Sequence, residues 1–197
     1  MVDNFNQIRD LLDFRSEDDF YFLQILQRKK DHKEGKVNGA NNNSMLIKAY
    51  YISSLSYFDF IKPEVIELCK LFNARAGINL NRRSFKKMAL QHLRKITDQI
   101  LNEDYFHASK AYNSVCGAYS NESDKNWIID IDDKDYDSDE LIEFINLLKP
   151  HGYKYIAKIP SKNGYHIITR PFDLQAFKLD GPDLEVHKNN PTNLFIP

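Results

Sequence analysis

The sequence predicts an α/β (α+β) fold of two small lobes sharing a cleft, on three observations. Apolar runs of strand length alternate with stretches of helical periodicity. The 197 residues, 42% hydrophobic and 13% aromatic, are enough for a sizeable core. Charge is segregated: "QRKKDHKEGK" and "NRRSFKKMALQHLRK" are basic, whereas Glu122 to Glu143 is acidic. The net charge of −1 argues against a generic polyanion binder. The segregation could set a basic track beside an acidic pocket, and two solvated faces of opposite sign would read the same way.

"MVDNFNQIRD" carries no apolar segment of signal-peptide length, and no later stretch approaches the roughly 18 apolar residues of a membrane span. A soluble cytoplasmic protein without a membrane partner is expected. Cys69 and Cys116 stand in dissimilar surroundings, so cysteine builds neither a disulfide framework nor a four-ligand zinc site. Buried reduced thiols and no zinc are the expectation.

In chain order, "DFYFLQILQ" and "MLIKAYYIS" read as strands of a hairpin whose long tip is "GKVNGANNNS", Gly35 to Ser44. "KPEVIELCKLFNA" reads as a helix opening at its proline, with Val65, Ile66, Cys69 and Phe72 at helical spacing. "ARAGINL" reads as a strand. From Ser84, a candidate N-cap, the residues Phe85, Met88, Ala89, Ile96 and Ile100 form the apolar stripe of a basic helix. Residues 1–105 thus read as an N-terminal lobe with the basic helix and residues 106–197 as a second lobe. In the latter, "NWIIDID" is a strand, "SDELIEFINLLK" a helix capped by Ser138, and "YKYIAKI" and "YHIITR" a hairpin across "PSKNG". That β-α-β-β unit is the size of half a ferredoxin-like fold.

Strand side chains alternate faces, so Asp130 and Asp132 point the same way and Ile131 the other. Two carboxylates so placed repel unless a cation lies between them, and a divalent ion with oxygen ligands, Mg²⁺ or Mn²⁺, resolves this most simply. A solvated acidic turn is the alternative, since "DIDDKDYDSDE" would show this spacing somewhere. In "SKNGYHIITRP", His166, Ile168 and Arg170 share a face, and Ser161, Lys162, Asn163 and Gly164 supply a hydroxyl, an ammonium, an amide and an unhindered backbone, the parts a triphosphate needs. A structural histidine and a plain turn would look alike. In "DLEVHKNNPTNLFIP", Asp183 opens a short β-rich run followed by Lys188, Asn189, Asn190 and Thr192. Asp180 competes with it as a carboxylate, and Glu185 would share its face.

The order D-x-D, S-x-x-G-x-H, D-L-x-V with a polar K-N tail resembles the archaeo-eukaryotic primase and primase-polymerase superfamily. The resemblance implies an RRM-like catalytic lobe and a metal triad of Asp130, Asp132 and Asp183 holding two Mg²⁺ or Mn²⁺ ions. It implies a triphosphate contact at His166, helped by Ser161, Lys162 and Gly164, the last standing where many members have serine. No arginine follows the third motif, so Lys188 or Arg170 would have to compensate. The activity implied is template-dependent nucleotidyl transfer from nucleoside triphosphates. Single-stranded DNA template and primer would lie along Arg75, Arg82, Arg83, Lys86 and Lys87, and a separate helicase or initiation factor is a possible partner. Two rivals stand beside it: a metal-dependent nuclease, and a primase-like nucleic-acid-binding accessory protein without catalysis.

Overall fold

The computed structural model describes residues 1–28, 44–119 and 124–197. Of the anticipated hairpin tip, Gly35 to Ser44, all but Ser44, which opens a strand, lies outside them. The protein is mixed α/β and is built on two antiparallel sheets.

The first sheet centres on β2 (Asp19–Arg28), whose first five residues are all buried. It pairs on one side with β3 (Ser44–Ile52) and on the other with β4 (Arg75–Ile78). The last strand, β10 (Thr192–Ile196), pairs with β4 and also with β1 (Val2–Asp3). A two-residue strand, β5 (Arg83–Ser84), joins the start of β2. The second sheet has the order β7 (Tyr155–Pro160), β8 (Tyr165–Thr169), β6 (Trp127–Ile131), β9 (Glu185–His187). Its chain path is β-α-β-β-α-β, with α6 (Ser138–Leu147) after β6 and α7 (Leu174–Asp180) after β8.

Alternation along the strands sorts their residues into layers. Leu23 and Ile25 of β2 face a shared core with Ile128, Ala157, Ile159 and Ile168 of the second sheet, joined by α1 (Phe5–Arg9) and α2 (Leu55–Leu71). Phe20 and Phe22 point the other way, onto Met88 of α3 (Phe85–Leu101) and Val115 and Cys116 of α5 (Ala111–Ala118). On the outer face of the second sheet, Trp127, Ile129 and Ile131 pack against Leu141, Ile145 and Phe177 of its two helices. The short α4 (Tyr105–Ala108) links α3 to α5. Both cysteines are buried and reduced, and burial pushes the Cys69 thiol up to about 12 and Cys116 to about 11. No described helix is long and apolar enough to cross a membrane.

Several boundaries differ from expectation. The division at residue 105 does not separate the sheets, because α5 packs under the first sheet and β10 returns to it. Helix α2 begins eight residues before Pro63, with Ser54 accepting a hydrogen bond from Tyr57 N at 3.1 Å. Phe58 and Ile61 extend the buried stripe of Val65 and Cys69 upstream, and burial of that face outweighs the hydrogen bond that an internal proline lacks. Phe72 is the C-cap and lies largely outside the core. The cap of α6 is Asp137, bonded to Asp139 N, and Ser138 is the first helical residue.

Ser84 caps α3 as expected, accepting from Lys87 N at 3.0 Å. Asp18 adds a second clamp: its carboxylate accepts from the Ser84 hydroxyl and from Lys86 N. The hydroxyl first, then the amide, hold the Asp18 carboxyl below the usual carboxylate range. A depressed folded-state pKa is stabilising above the ordinary carboxylate pKa, and that contribution is lost as pH falls through the folded value. Asp18→Asn is therefore expected to cost about 1 kcal/mol at pH 7, limited by solvent screening, and almost nothing near pH 2. Urea unfolding of both proteins at the two pH values checks this; an equal difference at both would exclude the clamp.

Candidate functional site

Strand β6 determines the site. Ile128 faces the shared core, so alternation places Asp130, and Asp132 just past the strand end, on that same face. They emerge where the two sheets part. A cavity of about 630 Å³ opens there, with Asp130 and Asp132 in its wall beside Ser161, Lys162, Asn163 and His166. The opposite wall comes from the first sheet and the segment before β10, and includes Arg28, Arg75, Asn190 and Asn193. Two carboxylates thus sit among three permanently cationic side chains, an arrangement that suits a polyanion accompanied by cations.

His166 stands directly across the ladder from Asp130. Its Nε2 lies 3.3 Å from Asp130 Oδ1, and its Nδ1 lies 2.9 Å from the hydroxyl of the buried Thr192. Asn193 approaches Nε2 at 3.4 Å. With the proton on Nε2 the ring donates to Asp130 and accepts from Thr192, so both nitrogens are satisfied and the ring plane is set. The side chain is 12% exposed, on the cavity side. This histidine of the second sheet is held by a strand of the first, a coupling that no local pattern reveals.

The hairpin loop after β7 is closed by its own groups. Ser161 N donates to Gly164 O at 2.9 Å, and Gly164 N donates to Ser161 Oγ at 3.1 Å. The serine hydroxyl proton remains available to a ligand. Gly164 itself is buried and is absent from the cavity wall. A Cβ built on it would lie 1.9 Å from Ile131 O and 2.9 Å from the Asp132 carbonyl carbon. Its lack of a side chain serves the packing of the hairpin against the D-x-D segment, where a phosphate contact was expected.

Other sequence-predicted residues fall elsewhere. Asp183 is exposed, precedes β9 and is not in the cavity wall. Glu185 is the carboxylate that pairs across the ladder with Asp130, and its side chain meets His187 Nε2 at 3.3 Å. His187, opposite Ile128, lines the cavity. Arg170 is exposed and donates to Asn126 Oδ1, and Lys188 lies 5.0 Å above the Trp127 ring, so neither reaches the cavity.

Among the arginines and lysines expected to hold nucleic acid, only Arg75 lines the cavity. Arg82 is buried against Asp19 at 3.6 Å and Asp124 at 3.3 Å. Arg83 is fully buried and donates to the carbonyls of Cys116 and Asn81. Neither can offer its charge to a phosphate, and both serve the junction of β5 with its surroundings. Lys86 and Lys87 are exposed on α3, away from the cavity. Sequence reasoning named Thr192 as a polar group but not as the partner of His166, and it missed Arg28, His187 and Asn193; Arg28 had a signal in the basic run that begins at Gln27, and His187 in its alternation with Glu185.

Among the described residues, no three His, Cys, Asp or Glu side chains are grouped to hold a metal ion by themselves. Mg²⁺ and Mn²⁺ commonly take one or two carboxylates and complete their shell with substrate phosphate and water. Asp130 and Asp132 fit that donor set; a three-aspartate cage is not formed. No family model, curated protein or solved structure matches the chain.

Proposed function

We propose that the chain is a template-dependent nucleotidyltransferase of the primase-polymerase type, which takes a nucleoside triphosphate and divalent cations into the cavity between its sheets. One observation carries the reading: Asp130, Asp132 and an oriented His166 meet in one cavity with Lys162 and Arg75. A water-filled acidic turn would need no imidazole fixed by a buried threonine.

Asp130 and Asp132 would hold the cations, which when bound neutralise the triphosphate and the pyrophosphate leaving group and acidify a primer 3′-hydroxyl. His166 donates a hydrogen bond from Nε2–H to a phosphate oxygen in place of Asp130, positioning the chain of phosphates without acting as a nucleophile. The Ser161 hydroxyl and Lys162 ammonium add donors at the loop, and Arg75 offers a planar fork from the opposite wall. Because the imidazole is already set by Thr192, little ordering remains when the ligand arrives.

The absence of Asp183 from the cavity wall favours a second reading, a triphosphate-binding accessory module that does not catalyse. Incubating the chain with Mn²⁺, triphosphates and an end-labelled primer on a template separates them. Extension supports transfer, shortening points to a nuclease, and an unchanged primer with triphosphate still bound points to the accessory module. His166→Ala is expected to weaken triphosphate binding about tenfold or more, with Thr192→Val giving a smaller loss and oligonucleotide binding unaltered. Equal losses for both ligands in calorimetric titrations would return His166 to a purely structural role.

A further inference from the structure

A second, smaller recess of about 300 Å³ lies on the outer side of the second sheet, at the end of β6 remote from the aspartates. Lys125, Trp127, Pro171, Lys188 and Asn189 line it. Lys188 follows His187, which pairs with Ile128 next to Trp127, and its ammonium stands 5.0 Å over the indole. Asn126, between Lys125 and Trp127 in sequence, fixes this end of the strand: its side-chain amide donates to Leu80 O and its backbone N–H donates to Asn81 Oδ1. The frame is rigid on the other side too, where Asn189 donates to the carbonyls of Gly117 and Ala118.

Lys125 and Lys188 meet no carboxylate among the described residues. Asp124, adjacent in sequence to Lys125, is engaged by Arg15 at 2.7 Å and Arg82 at 3.3 Å. Two positive charges on the wall of one recess repel each other unless an anion joins them. The recess is about the size of one nucleotide, and it combines cations with an indole that is 8% exposed and lies beneath the Lys188 ammonium. Cations beside an aromatic platform are what an unpaired strand needs: phosphates for the charges and a base for the ring.

We infer that Lys125 and Lys188, with Trp127, form a binding site for a nucleotide of single-stranded nucleic acid. A base entering the recess displaces the Lys188 ammonium from the indole toward the strand's phosphates. The segment Lys188–Asn190 connects this recess to the large cavity, since Asn190 lines the latter. The site is thus placed to hold the strand that the proposed transfer reads, and it rests on that reading for its purpose, though not for its chemistry.

Trp127 is the only tryptophan, so its emission reports directly on the recess. Titrating an oligothymidylate into the protein is expected to quench that emission. In Lys125→Ala/Lys188→Ala the dissociation constant should rise about tenfold or more, and the slope of log K against log salt should shrink by about 1.4, at 0.7 for each lost phosphate contact. Binding of Mn²⁺ and triphosphate should stay as in the unaltered protein. An unchanged affinity and slope would overturn the site, as would a polyaspartate of equal charge competing as well as the oligonucleotide. If primer extension fails but the lysine variant still loses oligonucleotide, the transfer reading falls and this site stands.

Discussion

Asp130→Asn is expected to abolish metal-dependent nucleotide incorporation, by about a thousandfold or more, with thermal unfolding shifted by no more than a few degrees. A thousandfold is about 4 kcal/mol of transition-state stabilisation, within what charge neutralisation around a transferring phosphoryl group supplies. The structural cost is small because the Asp130 side chain is 33% exposed and its imidazole neighbour keeps Thr192. The amide retains the shape of the carboxylate and can still meet the ring, so only the charge is removed. Asp132→Asn should behave alike, since Asp132 is exposed just past the strand end. Primer-extension rates and melting curves of the purified variants check both; either variant retaining incorporation would remove its carboxylate from the chemistry.

The second large effect is on stability. Gly164→Ala is expected to cost about 3 kcal/mol or more, because its methyl group would be driven into the backbone of Ile131 and Asp132. The nearest atom, Ile131 O, would be 1.9 Å away, and no flexible side-chain tip is there to yield. The hairpin must withdraw from β6 or Asp132 must move. Urea unfolding should show the lower midpoint, and whatever folded protein remains should bind triphosphate more weakly. A midpoint equal to that of the unaltered protein would mean that the close approach is not a structural requirement. The same contact explains why glycine stands where the resemblance leads one to expect serine: this backbone leaves no room for a side chain.

Period-two alternation made much of this site legible. It placed Asp130 and Asp132 on one face from "NWIIDID" alone, and His166 on the cavity face of its own strand from "YHIITR". The two meet because β8 pairs with β6 in the register that sets His166 against Asp130. What escaped was long-range. Arg82 and Arg83 read as nucleic-acid contacts beside a basic helix, but Asp19 and Asp124, distant in sequence, claim the first and backbone carbonyls the second. Charge counted along a chain does not reveal which charges are already paired. Asp183 was chosen by motif order, whereas the register of β9 places Glu185 opposite Asp130. Thr192 and Asn193 belong to a strand that leaves the second sheet for the first, and no periodicity announces that change of partner. Helix α2 was read too short because its proline looked like a start, when upstream Phe58 and Ile61 already followed its buried face.

The most direct test of the central claim is calorimetric titration of a non-hydrolysable nucleoside triphosphate with and without Mn²⁺, in the unaltered protein and in Asp130→Asn/Asp132→Asn. The account expects binding that needs the cation and falls at least tenfold when the two carboxylates are neutralised. Binding of equal strength in all four titrations, or none in any, would contradict it.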